Sequence, residues 1–321
     1  MAFKNRDSMR FRIINICCLF LFYFSAAFGQ KPFSADYDGI ASVIQLDSMV
    51  ITAQQQGFDV EEFITILRKD ESFYRAFKNL HFFAYEATHQ MSFDNKKGEQ
   101  EASFWAKTRQ TMLEDSCRQM KFLAPPKVNG PFFRRRGDYR YTTAEMYDRV
   151  FFVEGVVCEG TDSEEEEPRG LQRYYQALKT FIFQPGERVD VPLISKKTAL
   201  FDSELMPYYD YKISRGLYRG EIDSYIFTIE VKEDYRERKE GKTLVKYLQT
   251  YFRSSDFQVL GRNYIIENQG LASCLVKMSV ALTYVDGVYL PEKVTYEGTW
   301  NIPGKRRETG WFEAVFSDFT Q

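Results

Sequence analysis

Apolar residues recur at helical spacing in two early segments, one starting at Asp59 and one at Asp70. In the second segment, Phe73, Phe77 and Leu80 would share one side of a helix. From Leu80 the spacing falls to two, which is typical of half-buried strands. Strands are expected near residues 83–90, 102–112, 118–123 and 138–142.

The second part of the chain repeats this arrangement with more strands. Residues 171–183 have one broad apolar face at helical spacing, and Pro185-Gly186 ends the segment. From about Tyr208 nearly every segment alternates as strands do. Residues 244–252 fit either period, and we assign a strand because the segment is short and bounded by turn residues. This order of helices and strands predicts an α+β fold with an antiparallel sheet.

The hairpin at residues 285–287 allows a prediction of register. A three-residue loop would place Leu282 opposite Leu290 and Met278 opposite Val294, so the apolar side chains of both strands would lie on one face. A two-residue loop would separate the two apolar sets. We therefore expect a type I turn with a glycine in the left-handed conformation, which forms a G1 bulge.

Composition narrows the possible functions. The net charge is −2 over 321 residues, which gives no basic face for nucleic acid. Aromatic residues make up 17% of the chain, with 29 Phe, 21 Tyr and 3 Trp, and such large rings suit the faces of β-sheets. The chain is thus expected to build an aromatic sheet core and not to bind nucleic acid.

The first 29 residues have the three parts of a secretory signal peptide. A basic start precedes an apolar run from Ile13 to Phe24, and small residues end the segment before Gln30. The run is shorter than the roughly 20 residues of a transmembrane helix. We expect an exported protein with no transmembrane span in its mature chain.

Three cysteines lie beyond this leader, and export would permit one disulfide. Cys117 and Cys158 are the favoured pair, because Cys274 lies in a strand pattern. Three buried thiols are an equally good interpretation. No spacing of cysteines or histidines indicates a metal site, since His81 and His89 would lie about 26 Å apart along one strand. No cofactor is expected.

Searches for catalytic motifs leave only carboxylates as candidates. The chain lacks the Gly-x-Ser-x-Gly and His-Glu-x-x-His patterns. Arg136-Gly137-Asp138 is interpreted as a turn, although the tripeptide also occurs in adhesion proteins. Glu292 interrupts an otherwise apolar face, so it is the acid with the best claim to an unusual environment, although a solvated position at the open end of the sheet is favoured.

Several later segments share motifs with one family. Gly216-x-x-x-Gly220 precedes the strand Asp223–Lys232, the segment Tyr251–Arg262 follows, and Gly287-Val-Tyr-Leu-Pro291 occupies the place of a Gly-x-Trp-x-Pro-like strand. In these features the chain resembles the lipoprotein-carrier (LolA/LolB-like) superfamily. The resemblance implies a strongly curved, antiparallel β half-barrel with helices across its open side and acyl chains bound inside.

This resemblance sets the expected domain organisation. A single half-barrel domain would cover residues 58–321, with helices at 59–80 and 171–183 as its lid and an acidic loop at 161–168. Residues 30–57 would form a linker. Within the linker, Leu46–Ala53 resembles the strand that ends carboxypeptidase-regulatory-like β-sandwiches and precedes TonB-dependent plugs. This second resemblance implies the periplasm or outer membrane of a Gram-negative bacterium.

Three functions are compatible with these observations. The first is a non-enzymatic envelope protein that binds a lipid or other apolar ligand in its curved sheet. The second is an interaction module for an outer-membrane protein partner, and the third is a secreted hydrolase that uses carboxylates. Under the first hypothesis, seven residues are predicted to line the concave face: Tyr225, Phe227, Met278, Leu282, Leu290, Val294 and Tyr296.

Overall fold

The computed structural model describes residues 70–114, 116–153, 155–158, 197–236, 241–269, 273–301 and 306–321, together with residues 65, 67 and 183. The predicted leader, the linker, the acidic loop and the helix at 171–183 lie outside the described residues, apart from Phe183. All described residues belong to one compact unit, residues 42–321.

Strands dominate the described chain. They are β1 (Ala84–Asp94), β2 (Gln100–Met112), β3 (Cys117–Phe122), β4 (Lys127–Asn129), β5 (Val156–Cys158), β6 (Tyr209–Tyr218), β7 (Ile222–Val231), β8 (Val245–Arg253), β9 (Val259–Asn268), β10 (Ser273–Val285), β11 (Val288–Asn301) and β12 (Glu308–Thr320). The helices are α1 (Ser72–Asn79), α2 (Thr142–Phe151) and α3 (Glu233–Arg236), with short 3-10 turns at Leu80–Phe82 and Met206–Tyr208.

The strands form one sheet in the order β5-β3-β2-β1-β12-β11-β10-β9-β8-β7-β6, with β4 also paired to β2. The paired strands run antiparallel. β5 and β6 are the two ends of this order, so the sheet is open and not a closed barrel. The predicted α+β half-barrel with an antiparallel sheet is confirmed.

One face of the sheet carries a continuous apolar row, because residues directly opposite each other on neighbouring strands point to the same side. We call this side the inner face. One row across it contains Ile229, Leu248, Tyr264, Met278, Tyr296, Phe312, Met91 and Phe104. These side chains are all at most 8% exposed, which places the core against the inner face.

The hairpin between β10 and β11 differs from the predicted register. Val285 pairs with Val288, so the loop has two residues, Asp286 and Gly287, with φ of 46° and 90°. Positive φ at both positions is the type I′ conformation that matches the twist of a hairpin. The predicted three-residue loop is therefore wrong.

A β-bulge restores the apolar face farther along β11. The register shifts between Ala281 and Leu282, so that Pro291 lies opposite Leu282 while Val294 lies opposite Val280. Proline has no amide hydrogen for the ladder, and a bulge is a position that tolerates it. Leu290 consequently lies opposite Thr283 and not opposite Leu282, and it is fully buried in the core.

Two helices cover different parts of the inner face. α1 begins where the helical pattern after Asp70 predicts, and Asn79 Nδ2 donates a hydrogen bond to the Tyr289 carbonyl of β11 at 3.0 Å. α2 includes Thr142, which was predicted to end a short strand. The residues before it form only an isolated bridge between Phe133 and Tyr139. Among the described residues, no helix is long and apolar enough to cross a membrane.

Candidate ligand-binding pocket

An apolar pocket of about 480 Å³ lies between the inner face and the C-terminal end of α2. Small-molecule sites commonly have volumes of roughly 300–1,000 Å³. The lining side chains come from β2, β3, β4, α2 and the loops beside them. They are Phe104, Met120, Phe122, Pro126, Val128, Phe133, Tyr139, Asp148, Phe152 and Val153.

Strand register places the floor of the pocket on the inner face. Met120 lies opposite Gln110 and Phe122 opposite Thr108, while farther along β2 Phe104 lies opposite Val128 of β4. β3 and β4 thus follow one another along the same edge of β2. Both strands are short, with six and three residues, so they form a shallow floor and not a full wall.

A tight hairpin at residues 132–140 forms one wall. Phe133 and Tyr139 pair across it with ring centroids 5.3 Å apart, and Gly137 supplies a φ of 90° at the turn. The buried Phe132 anchors the hairpin, because its ring stacks on Phe104 at a centroid distance of 5.2 Å. This contact holds the hairpin in place, so that Phe133 and Tyr139 line the pocket.

Glu308 of β12 anchors the start of α2. Its carboxylate accepts hydrogen bonds from the backbone N–H groups of Thr142 at 2.7 Å and Thr143 at 2.9 Å. These N–H groups lack partners within the helix, and the helix dipole favours a negative charge at this end. A buried carboxylate from the sheet thus fixes where the helix begins.

A buried histidine holds the middle of α2. His89 Nδ1 lies 2.6 Å from the Tyr147 hydroxyl of α2, and its Nε2 lies 2.8 Å from the Thr108 hydroxyl of β2. His89 is fully buried, and burial lowers its pKa from 6.5 to about 3. Neutral hydrogen bonds, not charge, therefore hold the helix over the sheet.

The two histidines differ from their expected arrangement along one strand. His81 is exposed and lies in the 3-10 turn Leu80–Phe82 before β1, whereas His89 lies within β1. Within the described parts of the chain, no group of three or more His, Cys, Asp and Glu is placed to hold a metal ion.

Asp148 is the carboxylate among the described residues that line the pocket. It accepts a hydrogen bond from the Tyr139 hydroxyl at 2.7 Å, so the hairpin and α2 are also joined on this side. The remaining lining is mostly apolar and aromatic. The pocket can therefore enclose an apolar group and offers one polar pair that could orient a ligand.

The residues predicted to line the concave face lie outside this pocket. Register places six of the seven on the inner face, in the part that includes β7, β10 and β11, and Leu290 is buried in the core. Except for the partly exposed Tyr225, the seven are at most 8% exposed, and none is among the residues that line the pocket. Their use by a ligand stays a prediction.

Protein side chains fill the inner face beside these residues. The Arg262 guanidinium, 2% exposed, lies 4.5 Å from the ring centroid of Phe73 on α1. Its Nε donates to the Thr250 hydroxyl at 3.0 Å. The alternating apolar residues of this part of the sheet could also form the wall of a ligand site. In the structure they belong to the packed core of the protein.

Glu292, the acid with the best claim to an unusual environment, lies next to the β11 bulge. It forms an ion pair with Arg219, and its side chain is 36% exposed. Its Oε2 atom is buried and faces Arg219, so the carboxylate is held by an ion pair and differs from the favoured interpretation of a position open to water.

One feature of the sequence indicates the pocket, although the spacing of apolar residues does not reveal it. Exposed apolar residues alternate with basic ones between Lys121 and Arg136, in a region punctuated by Pro125-Pro126 and Asn129-Gly130-Pro131. Residues 121–123 belong to a predicted strand, and the stretch that contains Pro125-Pro126 and Asn129-Gly130-Pro131 is interpreted as loops. Phe132 and Phe133, adjacent and apolar in a loop, are the residues that indicate a partner for that surface.

A disulfide joins Cys117 of β3 to Cys158 of β5, the pair that the sequence favoured. It fastens the edge of the sheet next to Met120 and Phe122. Cys274 is a free, partly buried thiol, and burial raises its pKa to about 11.

No protein-family model and no curated protein sequence matches the chain. Among solved structures, a domain of an outer membrane lipoprotein-sorting protein from Vibrio parahaemolyticus aligns over 83% of this chain and 92% of that one, with 9% sequence identity and a TM-score of 0.26. A likeness at this level carries no argument about function. The pocket must therefore be interpreted from its own residues.

Proposed function

We propose that the protein binds, without catalysis, the apolar part of a lipid or similar amphiphile in the pocket beneath α2. The observation that carries the proposal is a preformed cavity of about 480 Å³ lined by five aromatic rings, namely Phe104, Phe122, Phe133, Tyr139 and Phe152. Burial of an apolar chain against such a lining contributes about 0.8 kcal/mol per CH₂ group. The Tyr139–Asp148 pair would orient a hydroxyl, amide or amine of the ligand.

The pocket chemistry favours binding over hydrolysis. Glycoside hydrolysis by paired acids needs two carboxyl groups about 5–9 Å apart in one cleft. Asp148 is the carboxylate among the described lining residues, and its Oδ1 accepts a hydrogen bond from the Tyr139 hydroxyl. A binding role requires no further group from these residues.

The disulfide supports the part of the proposal that concerns location. Disulfides persist in oxidising compartments and are rare in the cytosol. A bond between Cys117 and Cys158 therefore agrees with the export that the leader sequence predicts. We propose a place in the periplasm or on the outer membrane of the cell envelope.

The test is whether blocking the pocket abolishes ligand binding. Val128 lines the pocket and is 39% exposed, so a V128W variant would fill the cavity without a buried clash at the backbone. Val156 is 53% exposed and pairs with Gln119, on the opposite side of the sheet, so V156W is the matched control. Both positions lie on short strands at the same edge of the sheet.

Native mass spectrometry of the purified protein should show one bound amphiphile, and titration with a fluorescent long-chain fatty acid should give saturable binding. We expect V128W to lose at least about tenfold in affinity, a loss of about 1.4 kcal/mol, while V156W binds as the unchanged protein does. Absence of bound lipid together with absence of titratable binding would refute the proposal. Equal binding by both variants would move the site away from this pocket.

A further inference from the structure

The mouth of the pocket is surrounded by exposed apolar side chains. Phe122 is 48% exposed, Leu123 44%, Val128 39% and Phe133 40%. They come from three separate segments: β3 with the loop after it, β4, and the hairpin at residues 132–140. Soluble proteins rarely gather large exposed apolar side chains in this way unless the surface has a partner.

Exposed cations flank this edge of the sheet. Lys121 and Lys127 lie opposite Arg109 and Trp105 of β2, on the face away from Phe122 and Val128, and Arg134–Arg136 follow Phe133 at the turn of the hairpin. We call Lys121, Lys127 and Arg134–Arg136 together with Phe122, Leu123, Val128 and Phe133 the basic-apolar rim. The chain as a whole has a net charge of −2, so the rim is a local concentration of positive charge.

Three arginines supply most of the positive charge of the rim. Arg134, Arg135 and Arg136 are exposed at the turn of the hairpin that carries Phe133. None of the three forms an ion pair with another described residue. The acid at the same turn is Asp138, which leaves a net positive tip.

We propose that the basic-apolar rim docks on the surface of an anionic lipid bilayer, with the mouth of the pocket turned toward the lipid. Exposed rings and aliphatic side chains insert at the boundary between headgroups and acyl chains, while Lys and Arg keep their charges among anionic headgroups. Juxtaposed basic residues add about 1 kcal/mol each near such a surface. The rim offers both contributions on one edge of the molecule.

The arrangement fits a bilayer better than it fits an acidic protein. Protein interfaces have an apolar centre with charged residues confined to the edge. In the rim Lys121 and Lys127 lie on one face of the sheet edge, Phe122 and Val128 lie on the other, and Arg134–Arg136 lie at the hairpin turn, so apolar and basic groups are interleaved around the edge of the sheet. An interface between water and lipid accepts that interleaving, because each long basic side chain can reach the headgroups while its apolar neighbour inserts.

Co-sedimentation with vesicles tests this proposal. The purified protein is mixed with vesicles of phosphatidylcholine alone or of phosphatidylcholine with phosphatidylglycerol, at low and at high NaCl. We expect binding to the anionic vesicles only, with a loss of binding as salt screens the charges. The double variant R135Q/R136Q should bind roughly 10- to 30-fold more weakly.

A matched double variant controls for net charge. Lys212 and Arg215 are exposed on β6, at the opposite end of the strand order from β3, and K212Q/R215Q removes the same number of charges there. This variant should bind vesicles as the unchanged protein does. Absence of binding to anionic vesicles, or an equal loss in both double variants, would overturn the proposal. Capture of an acidic protein without vesicle binding would also overturn it and would assign the rim to a protein partner.

The docking test is independent of the pocket test. R135Q/R136Q leaves every residue that lines the pocket unchanged, so it should retain binding of the fluorescent fatty acid. V153W changes a residue that lines the pocket and is not part of the rim, so it should weaken fatty-acid binding and retain vesicle binding. Failure of one proposal can thus be told from failure of the other.

Discussion

The inner face has two halves that are equally aromatic but differ in what covers them. Across β9 to β11, α1 brings Phe73 against Arg262, and the side chains around them are buried. Across β2 to β4, α2 ends at Phe151 and leaves a pocket of about 480 Å³. An aromatic sheet face therefore does not identify a binding site, since the covering element decides whether the face is filled or open.

The difference follows from how each helix is attached. Ser72 and Asn79, at the two ends of α1, form hydrogen bonds with the backbone of β9 and β11, so the helix lies close to the sheet along its length. α2 is held at its start by Glu308 and in its middle by Tyr147, while its last turn extends over the shortest strands. Space remains where neither the helix nor a long strand supplies side chains.

The largest expected effect is a difference in stability between two variants, each of which replaces one phenylalanine of the inner face. Phe227 on β7, beside the filled half, is 1% exposed, and Phe122 is 48% exposed at the pocket. F227A should destabilise the protein by about 3–5 kcal/mol, because it leaves a cavity in a packed core. F122A should cost less than about 1 kcal/mol. Urea unfolding of both variants measures the difference, and equal losses would show that the two halves are packed alike.

A second test concerns the covalent link at the pocket edge. Cys117 and Cys158 are 41 residues apart in the chain, and loss of a disulfide that closes such a loop typically costs about 2–4 kcal/mol. The C117S/C158S variant should also expose the amides of β3 to hydrogen exchange. C274S, which changes the free thiol, is the control. A double variant as stable as C274S would mean that pairing in the sheet alone secures β3.

The smallest expected effect is the pH dependence that His89 gives to the α2 half. Its pKa is lowered to about 3 in the folded protein, so between about pH 3 and 6.5 the unfolded chain binds a proton that the folded chain does not. Stability should therefore fall as the pH decreases, by about 1 kcal/mol between pH 7 and 5.5.

The variant H89Q should remove this slope, whereas H81Q, at an exposed position, should keep it. Thermal unfolding from pH 7 to 5.5, above the range where most carboxylates titrate, isolates the histidine contribution. A slope that survives in H89Q would assign it to another group. Hydrogen exchange that increases in α1 and not in α2 on acidification would contradict the comparison of the two halves.

Local pattern predicted the strands better than it predicted their pairing. The alternation at residues 244–252 and the helical spacing after Asp70 both correspond to elements of the structure, β8 and α1. The β10–β11 register was predicted wrongly because a bulge beside Pro291 compensates for a two-residue turn. A bulge inserts one residue without a local sequence signature as strong as that of the turn, so the hairpin could not be solved from alternation alone.

The sequence by itself determined that this protein builds an antiparallel sheet with one continuous apolar face, because side-chain alternation and β-branched or aromatic content are properties of short segments. Tertiary structure alone decided where that face is filled and where it is open. The pocket depends on Glu308 and His89 meeting α2 from strands far away in the chain. Such long-range contacts depend on the fold as a whole, and the spacing of residues along the chain does not predict them.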